Sequence, residues 1–97
     1  MADIPRPYWK PSGKVAPLTT LERMELAAMI RAKVRRFQLT YAWLINRLSD
    51  EGLLTDKHEM SATLTCNRTG PKADEILRLS IRILTAYENA FVAVEVT

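Results

Sequence analysis

The sequence predicts an all-α fold of four to five short helices behind an extended N-terminal arm. Three observations carry this. Apolar residues recur at three- and four-residue spacing in four separate segments between Leu21 and Leu84. Thr19, Thr40 and Asp56 stand where N-caps are needed ahead of those segments, and Gly52 and the pair Gly70-Pro71 stand where segments stop.

Residues 1–18 carry four of the five prolines, Pro5, Pro7, Pro11 and Pro17, so neither helix nor paired strand can run through them. The arm also interleaves Arg6, Lys10 and Lys14 with Tyr8 and Trp9. Such an arm either follows a phosphate backbone or minor groove, or is pinned by its aromatics onto the domain's own surface.

Thr19 and Glu22 have capping-box spacing and open the first helix, whose stripe is Leu26, Ile30, Val34 and Phe37. Lys33, Arg35 and Arg36 near its end suit the negative end of the helix dipole. They read as a solvated last turn or, for Arg35 and Arg36, as candidate DNA contacts. Thr40 caps a second helix with Leu44, Ile45 and Leu48 inward. Trp43 falls off that stripe, and is expected to pack under the first helix or the arm, or to stay partly exposed at an interface.

Ser49 to Gly52 ends the second helix, after which Leu53 and Leu54 return to the core. Asp56 and Glu59 repeat the capping-box spacing for a third helix from Lys57 to Cys66, with Met60 and Leu64 buried one turn apart. Pro71 opens a fourth helix. Its buried face is read as Ile76, Leu77, Ser80, Ile83, Leu84 and Tyr87, with Lys72, Asp74, Glu75, Arg78 and Arg82 largely outside it. The tail, residues 87–97, is rich in β-branched residues over Phe91 to Val96. Three forms are open for it: a helix extension, a frayed end, or an edge strand that pairs with another copy and makes a homodimer through Phe91–Val96. The organisation is thus an arm (1–18), a helical domain (19–86) and an apolar tail (87–97).

Composition narrows the function classes. With 47% hydrophobic and 26% charged residues, the chain has the makeup of a folded domain, and 97 residues supply one modest core and little room for a deep cleft. The formal charge of +3 favours approach to a polyanion slightly. A lone Cys66 and a lone His58 give neither a disulfide nor a zinc set, and no cofactor motif is present. The opening residues lack the order of a secretory signal and no apolar run reaches the roughly 18 residues of a membrane span, so a cytoplasmic protein without membrane contact is expected. His58, Asp56 and Glu59 lie too close along one turn to converge on a substrate, and no Gly-rich phosphate loop exists. Cys66 reads as a small buried hydrophobe, and no enzymatic role is expected.

The second and third helices have the layout of a helix-turn-helix, in which one helix packs across another and presents its outer face to the major groove of DNA. About the Met60 and Leu64 stripe, the outward side of the third helix is His58, Ser61, Ala62, Thr65 and Thr69. Ser and Thr bond base edges or phosphates, and Ala or a Thr methyl touches a thymine methyl. Lys57, Asn67 and Arg68 flank this face as candidate phosphate contacts, while Glu59 at its edge repels phosphate unless capping consumes it.

The run Leu39-Thr40-Tyr41-x-x-Leu44-x-x-Arg47-Leu48, preceded by a basic helix and followed by a Gly-containing turn and two more helices, resembles the Cro and lambda-repressor-like helix-turn-helix domains. It looks closest to a small uncharacterised bacterial family of that kind, and the likeness spans Leu21 to Leu84. It implies a bacterial or phage transcriptional regulator that binds double-stranded DNA as a dimer, with Thr40 and Tyr41 on phosphate and Lys57, His58, Ser61 and Thr65 facing bases. Ser49-Asp50-Glu51 intervenes before Gly52, so the turn is longer than the usual pattern, and only Tyr87 to Thr97 remains for a fifth helix. The alternative from another class is a helical adaptor that uses the same face, or the arm and tail, to bind a protein.

Overall fold

A computed structural model of the protein describes residues 16–96, with side chains through Phe91. Four helices follow in order: α1 (Thr20–Arg36), α2 (Tyr41–Asp50), α3 (Lys57–Leu64) and α4 (Pro71–Val96). The arm expected over 1–18 lies outside the described residues except at its end, where the Ala16 carbonyl accepts a hydrogen bond from Arg78.

The first three helices each begin where their caps predict, and α4 begins at Pro71. Thr19 accepts from the Glu22 N–H at 3.1 Å while the Glu22 carboxylate accepts from the Thr19 N–H at 2.9 Å, completing the box. Thr40 accepts from the Trp43 N–H at 3.0 Å. Asp56 accepts from the Glu59 N–H at 2.7 Å, but the reciprocal bond does not form because the Glu59 carboxylate is drawn inward to two cations.

The helix ends depend on left-handed residues. Gly52 (φ 91°) lets the Leu53 N–H reach the Leu48 carbonyl and close α2. Gln38 (φ 56°) does the same for α1, sending the Leu39 N–H to the Val34 carbonyl, although its Cβ makes that conformation unfavourable. Gln38→Gly is therefore expected to raise stability by about 1 kcal/mol, seen as a higher urea midpoint. Cys66 (φ 62°) turns the chain after α3, which ends at Leu64, two residues before the expected Cys66. Thr69, expected on the outward face of that helix, accordingly lies in the following connection.

α1 and α4 form the main pair, and α2 and α3 pack across them. The core is built from Ala27, Ile30 and Val34 of α1, Leu44 and Leu48 of α2, Leu53 of the connection, Met60 and Leu64 of α3, and Ile76, Leu77, Leu79 and Leu84 of α4. Leu26 and Phe37 sit half-buried at its edges, and Leu54 does not return to the core: it is exposed while Leu53 is sealed.

The structure corrects one packing expectation and decides two that the sequence left open. Asp74 lies inside rather than outside the α4 face, only 1% exposed, and accepts from Arg23 Nε at 2.9 Å and the Leu18 N–H at 3.0 Å. Trp43 packs against α4 and stays half-exposed: its ring meets Tyr87 edge-on at 5.3 Å and takes the Arg47 guanidinium on its face. Residues Phe91 to Val96 are helical, so of the three forms open for the tail the extension is the one adopted, and the residue-86 boundary falls inside α4.

No strand exists among the described residues, and a homodimer through a Phe91–Val96 edge loses its structural basis. The physical reason is local. Extending a formed helix avoids a new nucleation cost, and Phe37 holds these turns through edge contacts to Tyr87 and Phe91, both at 5.5 Å. The β-branched preference has no neighbouring strand to satisfy it.

Candidate nucleic-acid interface

α3 is eight residues long and divides into two faces. Glu59, Met60, Thr63 and Leu64 are buried. Lys57, His58, Ser61 and Thr65 are exposed on the opposite arc, with Ala62 half-buried at its edge. The projection about Met60 and Leu64 therefore places these five side chains together on one surface.

The polar groups along that arc are partly engaged with one another. The Thr65 hydroxyl donates back to the Ser61 carbonyl at 2.9 Å and accepts from Asn67 Nδ2 at 3.1 Å. This ties Asn67 beside the C-terminal end of α3. The Thr40 oxygen is occupied with its cap, leaving its O–H as a donor, and Tyr41 is exposed at the start of α2.

Glu59 is the decisive electrostatic feature. It is 8% exposed, and its carboxylate is shared by Arg68 Nη1 at 3.2 Å and Lys72 Nζ at 3.1 Å. The acid that the sequence left at the edge of the presented face is thus turned away from it and covered by two cations. Arg68 remains half exposed at the surface, held near α3 by that ion pair.

Arg31 joins the site without any signal in the sequence. Its Nη1 donates to the Leu64 carbonyl at 2.7 Å, closing one of the free carbonyls at the end of α3 and adding a cation beside the arc. Residues 33 apart in the chain meet only because α1 and α3 cross. Between α2 and α3 lies a groove of about 310 Å³, lined by Tyr41, Ile45, Met60 and Leu64 together with Arg31 and Lys57.

Arg36 is placed apart from this surface. Arg36 pairs with Glu88 of α4 at 3.2 Å and lies over the Phe37 ring, on the opposite flank of α1 from Arg31. Lys33 bonds the same carboxylate. That hydrogen bond holds the Glu88 carboxyl below its ordinary range, against the opposing effect of desolvation, and the charges of Lys33 and Arg36 add to it. Arg35 is exposed on the outer side of α1.

No helix among the described residues is long and apolar enough to cross a membrane. Comparison of the chain with protein-family models, with curated proteins and with solved structures finds no match.

Proposed function

We propose that the protein binds double-stranded DNA through α3, as a repressor-like helix-turn-helix regulator in which α2 supports the reading helix. The observation that carries this reading is the composition of the exposed arc. Lys57, His58 and Ser61 are exposed side by side with Thr65, whose hydroxyl is engaged with the Ser61 carbonyl and Asn67, while Glu59 is buried under Arg68 and Lys72 and the Asp56 carboxylate is spent on its cap. Serine and threonine at such positions bond base edges, and the flanking cations hold phosphates that set the register. The protein then works by occupancy, and no chemical step is assigned to it.

A second reading rests on the groove between α2 and α3. Its apolar lining by Ile45, Met60 and Leu64 suits a partner's side chain better than a phosphate, as an adaptor would require. The two readings separate on salt. If Lys57, Arg31 and Arg68 neutralise about three phosphates, affinity for random duplex falls roughly 40-fold between about 50 and 200 mM salt. A mobility-shift titration at those two concentrations checks this. No binding at the lower concentration overturns the DNA reading, and a salt-independent complex with a protein would favour the adaptor.

A further inference from the structure

α1 keeps an apolar stripe on the side turned away from the core. At roughly 100° per residue, Leu21, Met24, Ala28 and Ala32 fall within about 80° of arc, facing away from the buried Ile30 and Val34. Leu21 is 64% and Met24 55% exposed, Ala28 and Ala32 are exposed on the next two turns, and no described residue covers the run. Single exposed apolar residues are ordinary, whereas an aligned run along one helix marks a contact surface.

The charges beside the stripe say what covers it. Its N-terminal half is acidic, with Glu22 and Glu25, and its C-terminal half basic, with Arg31, Arg35 and Arg36. Glu25 and Arg35 stand on opposite sides of the line midway between Ala28 and Ala32, each about 40° from it, and neither side chain has a hydrogen bond or ion pair among the described residues. A parallel pairing of two such helices would set like charge on like. An antiparallel pairing sets the acidic half of one against the basic half of the other.

We propose that a second copy of this chain covers the stripe, α1 lying antiparallel on α1 across a two-fold axis that passes between Ala28 and Ala32. The small residues at the crossing let the helix axes approach to about 8 Å, and Glu25 then comes within about 6 Å, Cβ to Cβ, of Arg35 of the second copy. The symmetry forms that pair twice. Arg35 is thereby assigned to the dimer rather than to phosphate.

This contact also bears on the DNA reading, and that consequence rests on it. A two-fold axis lying in the interface, perpendicular to both helices, keeps each flank of α1 on its own side of the pair. Arg31 and the Leu64 carbonyl that it holds lie on one flank, so the two α3 helices emerge on the same side of the dimer. That is the arrangement two half-sites of one duplex require.

Sedimentation equilibrium of the full chain without DNA, from micromolar to millimolar, tests the contact. A reversible monomer–dimer equilibrium is expected. Ala28→Glu should abolish it with the circular dichroism unchanged, since Ala28 is exposed. Glu25→Arg and Arg35→Glu should each weaken it about tenfold by replacing attraction with repulsion. The double reversal should restore it to within about twofold, because the pairs re-form with exchanged signs. A chain monomeric at millimolar concentration, a dimer that survives Ala28→Glu, or a double reversal whose losses simply add overturns the proposal. A monomer that still shifts duplex removes the dimer and leaves the reading of α3 standing, whereas a dimer that shifts none does the reverse.

Discussion

Replacing Ser61 and Thr65 together by glutamate is expected to abolish duplex binding while the helical content stays intact. Both side chains are exposed on the arc of α3 that carries Lys57 and His58, so two new carboxylates meet phosphate and base-edge acceptors directly. Like charges set against one another in an interface cost about 3 kcal/mol or more, at least roughly a hundredfold in affinity. The cost to the fold is small. A glutamate near the C-terminal end of α3 opposes the helix dipole by about 0.5 kcal/mol, and the lost Thr65 bonds are solvent-exposed. A shift titration reads the first effect and thermal unfolding the second. Wild-type affinity in the double variant would remove α3 as the reading helix.

Removing the Asp74 carboxylate is expected to have the largest effect on stability. Asp74 is almost wholly buried, bonded to Arg23 Nε at 2.9 Å and to the Leu18 N–H at 3.0 Å, and it sits in the first turn of α4, where the helix dipole favours an anion. Asp74→Ala leaves the guanidinium of Arg23, itself only 15% exposed, without its counter-charge, and leaves the Leu18 N–H unpaired. Breaking such a pair from one side costs about 3 kcal/mol or more, a large share of the roughly 5–15 kcal/mol that holds a domain together. Urea unfolding should show a lower midpoint at unchanged slope. Asp74→Asn, which keeps the shape and one acceptor for the Leu18 N–H, should recover part of the loss. An Asp74→Ala variant within about 0.5 kcal/mol of wild type, the range of an ordinary surface substitution, would show that the pair contributes nothing.

How much of this was legible before the structure divides by the range of the interaction. The caps are local: Thr19, Thr40 and Asp56 each bond an N–H three residues on, and their helices begin where those residues stand. The arc of α3 was equally legible, because two buried residues one turn apart orient the other side chains of a short helix. Glu59 shows where local reasoning stops. Its spacing to Asp56 predicts a capping box, yet Arg68 and Lys72, on either side of the Gly70 turn, compete for its carboxylate. Asp74 reads as lying outside the apolar face of α4, and only the approach of Arg23, 51 residues away, makes its burial tolerable.

The sequence by itself determined the helical class, the starting points of the four helices and the side chains that α3 turns outward, since helix initiation and amphipathic periodicity act over one or two turns. Tertiary structure alone decided the rest. It turned the β-branched tail into the end of α4, set Trp43 on α4, brought Arg31 to the end of α3 and drew Glu59 away from the presented surface. Each of these outcomes depends on partners outside the residue's own helix, whose encounter follows from how the helices and connections pack and leaves no local pattern to read.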